Sequence, residues 1–247
     1  MNKIMTHLVA GYPSLKMTEA LTLAMVESGV SFIEIQIPFS DPVADGPTIS
    51  IANKVALDNG TTPKDAFKLM HRLKAKGVKI PLLFMTYYNI LFAYGLEKFC
   101  KDAKAAGVYG FIVPDIPPDE EPNEHYLAIC KKYGLHAIQI VSPLTSRQRM
   151  KEIAQVASGF IYCVSTTGKT GARGTLDMDA IRYVDTLRKY TKLPLALGFG
   201  ISNRQQVEQA LEKADIAVIG SKLIQVFDAA KPSQAQDAVK KFLKEIL

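Results

Sequence analysis

Glu34-Ile35-Gln36-Ile37-Pro38-Phe39-Ser40-Asp41-Pro42-Val43-Ala44-Asp45-Gly46-Pro47 is the stretch on which the reading of this chain turns, because it places one carboxylate within a strand and a second in the loop behind it. In the run Phe32 to Ile37, strand alternation puts Ile33, Ile35 and Ile37 on one face and Phe32, Glu34 and Gln36 on the other. An acid and an amide therefore share a face that ordinary packing would fill with apolar groups. An unpaired carboxylate buried there is costly or takes up a proton, so a catalytic use of Glu34 explains it better than packing does. Asp45 lies eleven residues on, between two prolines and Gly46-Pro47, in a loop too rich in turn formers to extend the strand. Two acids in different settings suit proton transfer.

Around this stretch, short β-branched runs alternate with helix-period segments, the βα rhythm of a parallel sheet. The candidate strands are Ile4 to Val9, Phe32 to Ile37, Ile80 to Met85, Gly110 to Val113, Ala137 to Val141, Phe160 to Val164, Pro194 to Leu197 and Ile216 to Ile219. Helices are predicted over Leu15 to Glu27, Pro63 to Lys76, Leu96 to Ala106 and Arg204 to Glu212, with Gly77 and Gly107 just beyond two of them. Eight such units predict a closed (β/α)8 barrel. The 247 residues match the roughly 250 of that fold, so a single domain over 1–247 is expected. An open doubly wound sheet is the alternative, but Ala10-Gly11-Tyr12-Pro13 lacks the G-x-G-x-x-G of its first turn.

Composition excludes several function classes. The formal charge of +6 is spread over helix faces, as at Lys74, Lys76, Lys101, Lys104, Lys240 and Lys241, and no basic block interleaves with aromatics as a nucleic-acid groove requires. No apolar run reaches the roughly 20 residues of a membrane span, and no signal-peptide layout is visible, so a cytoplasmic protein is expected. Cys100, Cys130 and Cys163 are widely spaced, which predicts reduced thiols and neither disulfide nor metal site.

A barrel builds its active site on the C-terminal strand ends. Three exits there are rich in Gly: Ser165 to Gly174, Gly198-Phe199-Gly200-Ile201-Ser202-Asn203, and Gly220-Ser221. Gly lets backbone N–H groups approach an anion and a helix N-terminus adds donors, so these turns predict phosphate binding. Met85-Thr86-Tyr87-Tyr88-Asn89 and Pro114-Asp115-Ile116-Pro117-Pro118 close two further strands with aromatic and apolar groups that fit a flat ligand. Tyr87 and Tyr162 are the ring-contact candidates, with Ile112 and Val141 as apolar walls. Asn89 and Asp115 read as loop-fixing hydrogen-bonders. His71 and His125 fall on charge-rich helical segments, and no Ser-His-Asp order or metal spacing is present.

The segment from Glu34 to Pro47 resembles the signature of tryptophan synthase alpha subunits, roughly E-L-G-x-P-F-S-D-P-x-A-D-G-P, and Met85 to Asn89, Thr170 to Gly174 and Gly198 to Ser202 resemble that family as well. The resemblance covers nearly the whole chain after its short start, where the additional N-terminal helix usual in the family is lacking. It implies a retro-aldol cleavage of indole-3-glycerol phosphate to indole and glyceraldehyde 3-phosphate, late in L-tryptophan biosynthesis. By the same resemblance Glu34 is the general acid/base and Asp45 the second catalytic carboxylate. Gly171, Gly200, Gly220 and Ser221 carry over as phosphate-binding positions, and Thr170 belongs to a closing lid that orders Asp45. Pro38, Asp41 and Pro42 face a beta subunit in an alpha-beta-beta-alpha assembly, and that partner holds the pyridoxal phosphate; no cofactor is expected in this chain.

Three positions depart from the family pattern. Gln36 stands where Gly is usual and either hydrogen-bonds Glu34 or crowds the substrate. His7 replaces an aromatic and either points into the pocket or fills the barrel. Thr166 replaces Arg, with Lys169 supplying a cation three positions later. These departures keep open a catalytically weak barrel that mainly activates its partner; another phosphate-binding barrel isomerase or synthase is the further alternative.

Overall fold

The computed structural model describes residues 3–164, 178–198 and 200–247. The chain runs β1 (Lys3–Val9), α1 (Leu15–Glu27), β2 (Phe32–Gln36), α2 (Pro47–Asp58), α3 (Pro63–Ala75), β3 (Leu82–Met85), α4 (Tyr88–Tyr94), α5 (Leu96–Ala106) and β4 (Gly110–Ile112). It continues through α6 (Glu121–Glu124), α7 (Tyr126–Lys132), β5 (His136–Val141), α8 (Arg147–Val156), β6 (Ile161–Val164), α9 (Met178–Leu187) and β7 (Leu195–Gly198). The last elements are α10 (Arg204–Lys213), β8 (Ile216–Ile219), α11 (Ser221–Asp228) and α12 (Ala235–Ile246). All eight strands pair in parallel in sequence order, and β8 closes on β1, giving the expected (β/α)8 barrel.

Local chemistry sets the element ends. α3 opens on a capping box: the Thr62 hydroxyl accepts from the Asp65 N–H, the Asp65 carboxylate accepts from the Thr62 N–H, and Pro63 occupies the first helical position. α5 stops at Gly107, whose φ of +80° is the left-handed cap conformation. β3 starts two residues later than the sequence predicts, because Pro81 has no N–H for the ladder. α2 was not among the predicted helices, although Gly46 before Pro47 is an N-terminal signal.

Strand alternation divides the apolar residues into two bodies. Met5, Leu83, Ile138, Phe160, Ala196 and Ile216 fill the barrel interior, while Leu8, Ile33, Ile35, Phe84 and Leu197 pack outward against the helices. Val141 belongs to the outward set. This corrects its expected place as a pocket wall: Ile140, which pairs with Tyr162 across β5 and β6, faces inward instead. Cys100, Cys130 and Cys163 are buried free thiols. Among the described residues no helix is long and apolar enough to cross a membrane.

Candidate active site

A cavity of about 370 Å³ opens at the C-terminal ends of the strands, lined on one side by His7, Glu34 and Asp45 and on the other by Ile112, Ile140 and Tyr162. The β1–β2 register sets His7 level with Glu34, and their side chains meet: Nδ1 lies 2.9 Å from Oε1. Both residues are almost wholly buried, at 3% and 4% exposure. With Glu34 ionised, Nδ1 must carry the proton. Burial by itself would lower the His7 pKa, but the Glu34 hydrogen bond and the charges of Glu34 and Asp45 outweigh it and raise the value above 6.5. Two buried atoms of the pair, His7 Nε2 and Glu34 Oε2, have no hydrogen-bond partner among the described residues. His7 thus enters the pocket.

Gln36 takes neither of its expected roles. Its Nε2 donates to Asp45 Oδ2 at 2.6 Å and to Asn53 Oδ1 at 3.3 Å, so it serves the second carboxylate and not Glu34. Its side chain lies behind the cavity wall instead of crowding the ligand space. Gln36 sits two residues beyond Glu34 on one strand face, at the height to which the loop folds Asp45 back.

Asn53, on α2, completes this corner. Its Oδ1 accepts from the Phe39 N–H at 3.0 Å, and its Nδ2 donates to Ile49 O at 3.0 Å and more distantly to Asp45 Oδ2 at 3.4 Å. Nothing about Asn53 taken alone marks it in the sequence; only the fold-back of the loop onto α2 does. Tyr87 also belongs here and not against the ligand, which corrects its expected ring contact. Its ring stacks on Phe39 at 5.1 Å and its hydroxyl accepts from the Ala44 N–H at 3.1 Å. Burial raises the Asp45 pKa above 3.8, partly offset by Gln36, His7 and Tyr87.

The opposite wall supplies anion donors. Gly200 holds a φ of +66°, in the region open to glycine, beside Ser202. Gly220 is the N-cap of α11 and offers no side chain to its first turn, so that helix end with Ser221 faces the cavity uncapped. Gly198 is required by space: a Cβ there would lie 2.6 Å from the Tyr162 hydroxyl, so its absence lets Tyr162 lie across β7 into the pocket. Thr170 and Gly171, together with Thr166 and Lys169, lie outside the described residues.

In the connecting loop Pro38 is buried, Pro42 half-buried and Asp41 exposed, followed by Val43 at 82% exposure. Asp115 accepts from the Tyr88 N–H at 2.9 Å, the loop-fixing role expected of it. His71 and His125 are exposed. The described residues contain no cluster of His, Cys, Asp and Glu able to hold a metal ion.

A model of the tryptophan synthase alpha chain family matches residues 1–246. The tryptophan synthase alpha chain of Desulfotalea psychrophila is 46% identical over 229 residues, covering 93% of this chain and 89% of that one. Among solved structures, tryptophan synthase from Mycobacterium tuberculosis superposes with a TM-score of 0.90 at 31% identity, covering 99% of this chain and 91% of that one. A mutant tryptophan synthase alpha-subunit from Pyrococcus furiosus has the same score and identity, covering 99% and 97%.

Proposed function

Because the chain belongs to the tryptophan synthase alpha chain family, the lyases that cleave indole-3-glycerol phosphate to indole and glyceraldehyde 3-phosphate, we propose that Glu34 and Asp45 share the proton chemistry of that reaction here. What carries this reading is their convergence: a strand residue and a loop residue eleven positions apart line one cavity, opposite the Gly200 and Gly220-Ser221 turns. Phosphate anchored at those turns sets the indole ring between the two acids.

The carbon–carbon bond breaks once indole C3 has taken a proton, because the ring can then receive the bonding electrons. Glu34 delivers that proton and accepts the one leaving the side-chain hydroxyl, which becomes the aldehyde oxygen, so the exchange balances. Asp45 holds the ring N–H and stabilises the positive charge that develops there. Asp45 Oδ2 already accepts from Gln36 Nε2, so the ring N–H adds a further donor to the half-buried carboxylate.

We further assign the loop with Asp41, Pro42 and exposed Val43 to docking a beta subunit, whose pyridoxal phosphate would consume the indole. Thr170 and Gly171 would complete the lid and phosphate site, and the cytoplasm is the compartment that fits such a pathway. An isomerase or other synthase on the same fold is disfavoured by the family match, and a purely regulatory barrel needs neither acid.

The test is indole release from indole-3-glycerol phosphate, with and without a beta subunit. We expect a rate that rises with the partner. In Glu34→Gln and Asp45→Asn it falls on the order of 10²- to 10⁴-fold, the worth of a general acid or base. Unimpaired variants would remove the assignment.

A further inference from the structure

We propose that His7 is a positioning residue for the reaction, holding Glu34 through the Nδ1–Oε1 hydrogen bond so that the acid/base works as a His–carboxylate dyad. The inference rests on the lyase reading above and extends it to a residue that the resemblance itself leaves to an aromatic.

Three observations carry it. First, the pair is built by the sheet and not by chance of a rotamer: His7 and Glu34 are register partners on adjacent parallel strands, and their side chains meet at 2.9 Å inside the barrel. Second, the bond uses one atom of each partner and leaves the other two, His7 Nε2 and Glu34 Oε2, buried without a partner among the described residues. Buried polar atoms without partners are expensive, and a ligand that supplies hydrogen bonds relieves them. Third, both residues line the cavity wall that would face the reacting carbon.

The dyad has a defined chemical use. A carboxylate free to turn has to find its orientation at every proton transfer; one clamped at Oε1 presents Oε2 in a single direction. The histidine donor also occupies Oε1, leaving Oε2 as the oxygen that exchanges the proton with the substrate. The charged groups that act on His7 are Glu34 from β2 and Asp45 from the loop after it, while Tyr162 from β6 and Lys222 at the start of α11 line the same cavity. Two carboxylates dominate this set, which is why the imidazolium is favoured beyond its ordinary range.

The test compares wild type with His7→Phe, which keeps a ring and loses the donor, and His7→Asn, which keeps a donor near the Nδ1 position. Steady-state indole release is measured across pH on the full chain, and thermal melting confirms folding. We expect His7→Phe to lower kcat roughly 10- to 100-fold, less than loss of the acid/base itself, with KM changed by less than about threefold. His7→Asn should recover most of that loss, and an alkaline limb, expected of wild type from the titration of His7, should be absent from both variants. In a Glu34→Gln background the His7→Phe effect should disappear, because His7 then has nothing to position. A His7→Phe enzyme with wild-type kcat and pH profile, or a loss that persists undiminished in Glu34→Gln, overturns the dyad while the lyase reading stands. Wild-type protein that releases no indole with or without a beta subunit overturns the lyase reading instead. The pairing is then judged by histidine nitrogen NMR, where a His7 titration unmoved by Glu34→Gln would refute it.

Discussion

The two ends of the barrel interior share the same strands and are built on opposite rules. At one end Met5, Phe32, Leu83, Phe160 and Ile216 make an apolar plug, with Phe160 edge-on to Phe32 at 5.7 Å. Two residues further along β1 and β2 the inward positions are His7, Glu34 and then Gln36, all buried and all polar. The plug gains stability from area removed from water and contributes no chemistry. Among the described residues the polar end leaves buried atoms without partners, so it is the end that costs stability. A (β/α)8 barrel can hold both because the strand period keeps inward residues inward at every level.

If that division is right, the largest stability effect belongs to the plug. Phe160→Ala should cost about 3–5 kcal/mol, read as a denaturation midpoint, with KM unchanged in the protein that remains folded. A loss of affinity at unchanged stability would break the comparison. A smaller effect is expected where the two ends meet. Gly198→Ala pushes a methyl into the Tyr162 ring, 2.6 Å from its hydroxyl. The ring must tilt into the ligand space, so KM should rise several-fold beside a cost of about 1–3 kcal/mol; melting and saturation curves together separate the parts.

The smallest effect is one of sign. Asp45 has a folded-state pKa raised above its ordinary 3.8, chiefly by burial. Its protonated form suits the fold, so its contribution is complete below the unfolded value and is lost as pH rises through the folded value. Asp45→Asn should therefore melt higher than wild type at neutral pH, and the gap should close as pH falls toward 3.8. A gap that widens on acidification would show that Asp45 stabilises as an anion and that the polar end is not the weak end.

The architecture was legible in the sequence because its signals are local. Each predicted strand overlaps an observed one, and α1 and α5 begin and end where their caps and glycines indicate. The errors at the site are errors of neighbourhood. The sequence places Val141 on the wall because its apolar run has two faces and periodicity does not say which turns inward; the pairing of Ile140 with Tyr162 does. Neither alternative for Gln36, a bond to Glu34 or crowding of the substrate, anticipates Asp45, because sharing a face with Glu34 is visible in sequence, whereas the return of Asp45 to that height is a property of the folded loop. Asn53 and the Tyr87 hydroxyl escaped for the same reason: each fixes a backbone group many residues away, at Phe39 and at Ala44.

The contacts of Asn53 have a further consequence for how this molecule could be rebuilt. A single helical side chain reads the loop's entry through the Phe39 N–H, while Gln36 and Asp45 meet at the loop's exit. Much of the shape of the crossing is thus stored outside it, in α2 and in the end of β2, beside the turn that Asp41 O and Pro42 O close on the Val43 and Asp45 N–H groups. The side chains at 40, 41 and 43 take no part in those anchors, so substitutions there should leave Asp45 at its post as long as its N–H keeps the bond to Pro42 O at 2.9 Å.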